Sequence, residues 1–462
     1  MKQYQKAFHE MKMYLLFWAT QAFSALGSSM TGYALVIWSY TQEGSALMSA
    51  LLMVCSYAPY VIFSIFAGAL SDRWNKKRTL LLCDTLAAVS TLVTLLLLLG
   101  GSLQVWHLYL INMAGGLMNT VQQPASEVVT TRLLPEKYYQ RVGGLRYLSG
   151  SLNSILTPII ATAFFGLAGL EAVIAFDLFT FIAAFLSLAF CIRIPEEPAL
   201  SGEGRGQTEC RTGQDMEETD CRQGGAAARK EELLDAVKAG LGYLKKEKGI
   251  FGLILFLAAI NLVASVYNAA FPAMLLSREG GSEKAMGLVN MVIGLSTLAG
   301  SVLASLAKKP KSRVRVICNC LLFSMSFENF LLALGRTPLV WCVGGFLGWI
   351  SIPLMNANLD AVMRLHVPVS MQGRVYSVRN SLQFFTIPVG YLLGGVLVDQ
   401  VFEPLMAAQG SGSLLIRIFG GGKGSGAAFL FFVLACAGIG VCLYFKRDEN
   451  IWRLEEAQEK EG

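Results

Sequence analysis

The sequence predicts an all-α integral membrane protein in which twelve transmembrane helices form two pseudo-symmetric six-helix bundles. Three observations support this fold class. Of the 462 residues, 54% are hydrophobic and only 15% are charged, which is too apolar for a soluble globular protein of this length. Apolar stretches long enough to cross a bilayer recur along the chain. One pattern of charged residues and proline also repeats at a fixed offset.

Apolar windows of about 20 residues predict the membrane spans, which we number 1 to 12 in chain order. Their bounds are 13–40, 46–70, 79–100, 104–127, 141–166, 168–191, 249–277, 285–307, 314–334, 338–362, 374–399 and 426–446. A polar segment separates the first six windows from the last six. We therefore expect an N-terminal bundle over 1–192, a cytoplasmic linker with an amphipathic helix over 193–248, and a C-terminal bundle with a cytoplasmic tail over 249–462.

The linker and the cations predict the orientation. The first part of the linker is rich in Gly, Glu, Arg and Gln, a composition typical of disorder. Its last part, "EELLDAVKAGLGYLKKEKG", predicts an amphipathic helix on the membrane surface. Most Lys and Arg residues fall on the linker side of the spans, and cations favour the cytoplasmic side. We therefore expect a multi-pass protein of the plasma (inner) membrane with both termini in the cytoplasm.

Composition and motifs argue against several function classes. The net charge of +6 would suggest nucleic-acid binding in a soluble protein, but in a membrane protein the location of the cations matters more than their sum. His9, His107 and His366 are too scattered for a metal site or a catalytic triad. The Gly-Lys of "QGSGSLLIRIFGGGKGSG" follows no strand and precedes no Ser or Thr, so it is not a phosphate-binding loop. We expect no enzyme activity, no cofactor, no metal and no nucleic-acid partner.

A repeat links the two halves. An acid, a proline and two arginines recur at an offset of 233 residues, at the end of the fourth span of each half and the start of the fifth. The matched pairs are Glu127 with Asp360, Pro135 with Pro368, Arg141 with Arg374, and Arg146 with Arg379. The repeat predicts duplicated six-helix units of parallel topology, with the linker inserted between them. Such units can rock against each other in alternating access.

The stretch "GALSDRWNKKR" between spans 2 and 3 resembles the loop motif G-x-x-x-D-R-x-G-R-[KR]-[KR] of the major facilitator superfamily. Asn75 replaces the second glycine and Lys76 the usual Arg. Three other stretches are similar to the macrolide-efflux branch of drug:proton antiporters: "YAPYVIF", "KKEKGIFGLILF" and "GRVYSVRNSLQFFTIPVGYLLGG". The resemblance covers essentially the whole chain except the linker and the last external loop.

The resemblance implies a conformational latch. When the protein is closed to the cytoplasm, Asp72 would face the N-terminus of span 11, where the helix dipole favours an anion. The residues assigned to this latch are Gly68, Asp72, Arg73, Arg78, Glu127, Arg141, Arg146, Asp360, Arg374 and Arg379. The acid–arginine pairs of the repeat could instead be static clips. We interpret Lys76 and Lys77 as ordinary cytoplasmic-side cations.

The resemblance also implies that spans 1, 4, 7 and 10 line a substrate cavity. The polar residues in the middle of these spans are uncharged, and aromatic residues accompany them. The predicted lining is Gln21, Asn112, Asn119, Asn261, Tyr267, Asn268, Trp349 and Asn356, with Phe384 from span 11. This set suits an apolar or amphiphilic ligand, although each amide could equally join helices.

Two deep carboxylates are the candidates for ion coupling. Asp177 in span 6 and Glu328 in span 9 have no Lys or Arg at comparable depth, and intramembrane acids are costly and usually functional. The resemblance places both spans at the periphery, so structural pairing remains an alternative. Asp84, near the start of span 3, is interpreted as a structural anchor. Asn112 stands where many drug antiporters carry an arginine, and Thr157 where they carry glycine; both departures weigh against the usual route of proton antiport.

These observations predict a monomeric secondary transporter in a lipid bilayer. Its expected activity is ion-gradient-driven efflux, with protons as the expected ion, of lipophilic or amphiphilic compounds such as drugs, macrolide-like molecules or metabolites. Antibiotic resistance would follow from such efflux. Symport uptake of a small neutral nutrient, and a non-transporting sensor whose linker binds a partner, remain alternatives. The direction in which a labelled compound accumulates separates them.

Overall fold

The computed structural model describes residues 2–73, 75–133, 139–192, 241–308, 310–410 and 412–459. Side chains are described throughout these ranges except at 2–10, 64–73, 124, 127, 131–132, 139–148, 369–374, 376–377 and 456–459. The described residues are helical almost throughout and contain no strand. Residues 193–240, which are most of the predicted linker, lie outside this description, and the described residues 241–246 are helical and lead towards span 7.

Every predicted window falls mainly on helical residues. The observed spans are span 1 (Lys2–Glu43), span 2 (Ala46–Arg73), span 3 (Lys76–Leu99), span 4 (Val105–Leu133), spans 5 and 6 (the two arms of Tyr139–Leu186), span 7 (Lys248–Ser277), span 8 (Glu283–Leu306), span 9 (Arg313–Leu334), span 10 (Pro338–Ile350 and Ile352–His366), span 11 (Val369–Val396) and span 12 (Ser425–Lys446). We call the end where span 6 ends and span 7 begins the linker end. The opposite end, where residues 43–46 connect spans 1 and 2, is the distal end.

Nine stretches of the described chain are long and apolar enough to cross a membrane. One of them, Ser149–Cys191, is 43 residues long and contains both span 5 and span 6. Spans 1 and 4 are long helices but do not reach the same hydropathy, because their faces carry the polar side chains described below. These features are consistent with twelve spans.

Two spans depart from regular helix. Spans 5 and 6 join without a loop at a bend where Gly169 has φ +76°, a left-handed conformation that glycine adopts without a steric penalty. Span 10 is interrupted at Ser351, between Ile350 and Ile352. Pro353 begins its second part, and a proline cannot donate to the carbonyl one turn earlier. The sequence windows predicted a single helix for span 10, so this break is a correction.

Three short helices outside the spans were not predicted. Glu403–Ala407 and Leu414–Phe419 lie in the last distal loop, and Glu449–Glu459 follows span 12. The last of these docks against the linker end of the C-terminal half, with Ile451 and Leu454 buried. Its Glu455 carboxylate accepts hydrogen bonds from Ser312 Oγ and Val314 N, each at 2.7 Å. Glu455 therefore caps the N-terminus of span 9, whose first amides lack partners within the helix.

Candidate functional site

A central cavity of about 390 Å³ lies between the two halves. Spans 1 and 5 line it from the N-terminal half, and spans 7, 8 and 10 from the C-terminal half. Its amide and aromatic lining residues are Tyr33, Asn153, Tyr267, Asn268, Phe271, Asn290 and Trp349. None of the described lining residues carries a charge. The cavity therefore combines apolar area with a few hydrogen-bonding groups, as small-molecule sites do.

Hydrogen bonds fix the N-terminal wall of the central cavity. Asn153 Nδ2 donates to Ser29 Oγ at 2.8 Å, which joins span 5 to span 1. Thr157 Oγ1 donates to Asn153 Oδ1 at 3.1 Å. Thr157 stands where the resembling antiporters carry glycine, and here its hydroxyl holds a cavity amide in place.

Aromatic packing and one acid fix the opposite wall. Tyr267 stacks on Phe271 with ring centroids 5.3 Å apart. Trp349 Nε1 donates to Glu328 Oε1 at 2.9 Å, and the Tyr267 ring also lies near the Glu328 carboxyl. Glu328 is 4% exposed and packs against Gly348, where an added Cβ would lie 2.5 Å from Oε2. Glu328 therefore sits behind the cavity wall and orients one of its aromatic residues.

A second cavity, of about 480 Å³, lies inside the N-terminal half, and we call it the N-half cavity. Both Asp84 and Asp177 line it, together with the amides Gln21, Asn112, Asn119 and Gln122. Gln122 Nε2 donates to Asp84 Oδ1 at 2.6 Å, and Ser28 Oγ donates to Asp177 Oδ1 at 3.1 Å. The interpretation of Asp84 as a structural anchor stays a prediction, to which the structure adds that Asp84 and Asp177 line the same cavity.

A third cavity, of about 450 Å³, opens from the N-half cavity towards the linker end. Gln21, Asn119 and Gln122 line both spaces. Tyr14, Phe17 and Trp18 of span 1 form its apolar wall. The N-half cavity therefore has a polar connection towards the linker end.

The predicted lining residues separate into groups. Tyr267, Asn268 and Trp349 line the central cavity, whereas Gln21, Asn112 and Asn119 line the N-half cavity. Three further predicted residues line none of these three cavities. Asn261 accepts a hydrogen bond from Ser265 through its backbone oxygen, Asn356 is exposed, and Phe384 packs edge-on against Tyr60 of span 2 at 5.8 Å.

The predicted latch falls largely outside the described side chains. This holds for Gly68, Asp72, Arg73, Glu127, Arg141, Arg146 and Arg374. Among the others, Arg78 is exposed, and Arg379 Nη1 lies 4.0 Å from Asp360 Oδ1. Because the Asp360 side chain is 52% exposed, solvent screens this pair and it stabilises the fold little.

One departure from the loop motif, Asn75, and one residue that matches it, Lys77, have local roles. Asn75 caps span 3, because its Oδ1 accepts a hydrogen bond from Arg78 N at 3.2 Å; Asn is among the favoured residues at this position. Lys77 Nζ donates to Ala189 O at 3.1 Å and Ile192 O at 2.8 Å. Lys77 therefore binds the free carbonyls at the end of span 6, a role beyond that of an ordinary cytoplasmic-side cation.

A contact between the halves closes the distal end. Asp399, just after span 11, accepts hydrogen bonds from Ser45 Oγ at 2.6 Å, Ala46 N at 3.0 Å and Leu47 N at 2.8 Å. These donors begin span 2, so Asp399 caps a helix of the other half, and the dipole of that helix favours its charge. The Tyr40 hydroxyl also lies 2.6 Å from Ser277 Oγ across the same boundary.

Arg278 binds backbone carbonyls near the ends of two helices at the distal end. Arg278 donates to Leu332 O at 2.8 Å and to Phe419 O at 3.1 Å. Burial, and to a smaller degree the neighbouring Arg336, lowers the pKa of Arg278 to about 10. Arg278 therefore ties span 9 to the last distal loop.

Sequence reasoning missed Gln122, Asn153, Asn290 and Asp399. The first was visible as a pattern, because Gln122 follows Asn119 by three residues and so shares its face of span 4. Asn153 and Thr157 likewise share a face of span 5. Asp399 had no local signal, since its partners lie more than 350 positions away in the sequence.

The comparisons with known proteins agree with this architecture. A family model, the Major Facilitator Superfamily, matches residues 17–391. Macrolide efflux protein A of Streptococcus pyogenes is 22% identical over 395 residues, which cover 85% of this chain and 90% of that protein. The multidrug efflux pump Tap of Mycolicibacterium fortuitum is 21% identical over 391 residues, which cover 83% and 88%. The solved POT family transporter PepTSo superposes with a TM-score of 0.64 at 13% identity, covering 97% of this chain and 99% of that one, a likeness that shows the fold alone.

Proposed function

The chain belongs to the Major Facilitator Superfamily, and we propose that it exports lipophilic or amphiphilic compounds, among them macrolide-like drugs, by alternating access. The central cavity is the observation that carries this proposal. Both halves supply its wall, and the described lining holds amides and aromatic rings but no charge. Such a wall binds apolar area and orients it with a few hydrogen bonds, and the names of the relatives point to the same ligand class.

Alternating access requires that the two halves part at one end while they meet at the other. The distal contact of Asp399 with the start of span 2 is formed in this structure. We therefore assign the structure to a state closed at the distal end. The predicted Asp72 latch would close the linker end in the opposite state.

The orientation follows from the cations, which favour the cytoplasmic side. The linker end and both termini are assigned to the cytoplasm, and the distal end to the outside of the cell membrane. One chain supplies both walls of the central cavity, so the protein is proposed to act as a monomer. The orientation is tested by labelling single cysteines, Ser102→Cys and Gln458→Cys, with a membrane-impermeant reagent in intact cells. Only Ser102→Cys should be labelled. Labelling of Gln458→Cys would reverse the assigned orientation.

The function is tested by growing an efflux-deficient host, with and without this gene, on a panel of macrolides and other lipophilic toxins. Expression should lower the accumulation of labelled erythromycin. Asn268→Ala and Trp349→Ala should reduce this effect, whereas the matched control Asn356→Ala, an exposed amide, should not. Increased accumulation would favour uptake, and unchanged accumulation of every compound would favour the sensor.

Glu328 is proposed as a positioning residue for the cavity wall. Its carboxylate accepts a hydrogen bond from the Trp349 indole N–H and packs against Gly348. Trp349→Phe should raise the concentration of erythromycin at half-maximal transport several-fold without changing the maximal rate, because the ring loses its anchor. Glu328→Gln should have the smaller effect, because its amide oxygen can still accept the indole hydrogen bond.

A further inference from the structure

The N-half cavity contains two carboxylates and, among its described lining residues, no Lys, Arg or His. Asp84 and Asp177 are the titratable groups of that lining. Two negative charges in one membrane cavity repel each other and are poorly solvated. Binding a proton at one of them removes the repulsion and the solvation cost of that acid.

Asp84 has an oxygen available for that proton. The residue is 8% exposed, and Gln122 donates to its Oδ1 at 2.6 Å. Its Oδ2 is buried without a hydrogen-bond partner among the described residues. A buried polar atom of this kind is costly unless a proton, a water molecule or a cation meets it.

Asp177 also lines the N-half cavity. It is 4% exposed, and Ser28 Oγ donates to its Oδ1 at 3.1 Å. Span 1 approaches closely because residue 27 is glycine, where an added Cβ would lie 3.0 Å from the Asp177 Oδ1. The close approach places the polar face of span 1 against the acid.

Polar side chains connect the two acids along parallel faces. Gln21 and Ser28 of span 1 are seven residues apart, as are Asp84 and Thr91 of span 3, and all four line the cavity. Seven residues make about two helical turns and return to the same face. Gln21 lies near Asp84, and Thr91 near Asp177.

The acids approach opposite ends of the protein. Asp84 is eight residues from Lys76, where span 3 begins at the linker end, and Asp177 is eight residues from Gly169 at the distal bend. At 1.5 Å per residue each acid lies about 12 Å from its own end. The two acids therefore lie at different depths in the N-terminal half.

We propose that Asp84 and Asp177 form a proton site inside the N-terminal half, in which Asp84 exchanges protons with the linker end and shares them with Asp177 across the N-half cavity. Hydronium transfers a proton to a carboxylate oxygen, leaving a neutral carboxylic acid and water. The polar faces of spans 1 and 3 hold the water that carries protons between the acids. The link to export rests on the proposed function, whereas proton binding does not.

Proton binding is tested on the purified full-length protein by infrared difference spectroscopy during a pH titration. The wild type should show the carboxyl band of a protonated aspartic acid, which titrates with pH. Asp84→Asn and Asp177→Asn should each remove part of this band, and Asp84→Glu should retain a shifted band. Asp360→Asn, a matched change at an aspartate of the C-terminal half whose side chain is 52% exposed, should leave it intact. A band that is unchanged in both Asp84→Asn and Asp177→Asn, or lost in Asp360→Asn alone, would overturn the proposal.

Coupling is tested in proteoliposomes with radiolabelled erythromycin. Asp84→Asn and Asp177→Asn should lower pH-gradient-driven accumulation by about tenfold or more, while counterflow without a gradient stays within about twofold of wild type. Replacing Na⁺ by N-methylglucamine should change nothing; dependence on Na⁺ would make the cavity a sodium site and refute the proton assignment. Absence of erythromycin counterflow in the wild type would refute the proposed function and leave the infrared result standing.

Discussion

The two halves share a fold, but their buried acids have different surroundings. In the N-terminal half, Asp84 and Asp177 line a cavity of about 480 Å³, and Asp84 keeps an oxygen without a partner among the described residues. In the C-terminal half, Glu328 is bonded to Trp349 and packed against Gly348. The two largest hydrophobic clusters also belong mainly to the C-terminal half. The contrast teaches that burial by itself does not identify a coupling residue. We propose that free volume and an unpaired oxygen beside a buried acid are the better guide, because a proton needs both a path and an acceptor.

Filling the N-half cavity should have the largest effect on transport. Gly115 lines this cavity, and a Cβ added there would meet no atom within 4 Å. Gly115→Leu should therefore fold normally but displace water from the proton path, lowering pH-gradient-driven accumulation about tenfold or more. The measurement is accumulation of labelled erythromycin in proteoliposomes.

The control for this change is Gly440→Leu in the C-terminal half, where an added Cβ also meets no atom within 4 Å. It should leave accumulation at the wild-type level. Full accumulation by Gly115→Leu would show that protons do not cross this cavity.

A single added methyl group should destabilise the protein more in the C-terminal half than in the N-half cavity. Gly348→Ala would place a Cβ 2.5 to 2.7 Å from three atoms of Glu328, and overpacking of this kind costs about 1–3 kcal/mol. Gly32→Ala, at an N-half cavity position with no atom within 4 Å, should cost almost nothing. Thermal unfolding in detergent measures both variants, and equal midpoints would contradict the difference in packing.

The distal contact of Asp399 and the predicted latch of Asp72 should respond to mutation in opposite directions. Asp399→Ala removes the cap of span 2, a loss of about 0.5–2 kcal/mol, and 1.4 kcal/mol changes a two-state ratio about tenfold. The variant should populate states open at the distal end. Asp72→Asn should instead favour the state closed there, because the amide loses attraction to the helix dipole worth about 0.3–2 kcal/mol.

Cysteine pairs across each mouth, scored by crosslinking, measure these shifts. Asp399→Asn should have an intermediate effect, since Ala46 N and Leu47 N donate to different carboxylate oxygens and the single amide oxygen can replace only one of them. Crosslinking that shifts in the same direction in both Asp399→Ala and Asp72→Asn would refute the reciprocal arrangement.

Removing the linker should have the smallest effect. Deletion of Ser201–Ala228 leaves the helix that precedes span 7, and a flexible tether needs only to span the gap between the halves. Transport should stay near the wild-type level. Loss of transport with normal membrane insertion would show that these residues do more than connect the halves.

The sequence by itself predicted where the described chain forms its long helices. A span needs about 20 apolar residues, a local property, so every predicted window falls mainly on helical residues. The interruption of span 10 was not predicted, because proline alone does not signal a break here: Pro59, Pro158, Pro272 and Pro388 all lie inside helices that continue past them. The family was recognisable from "GALSDRWNKKR", because that motif is contiguous in the chain.

Only the tertiary structure decided which polar residues meet. Helix periodicity places Asn119 and Gln122 on one face of span 4, but it does not say that this face turns towards Asp84 rather than towards Trp349. Asp399 reached the start of span 2 through packing of elements far apart in the chain. The physical reason is that a helix fixes the direction of its side chains relative to its own axis, whereas the rotation of each helix within the bundle is set by how all its neighbours pack.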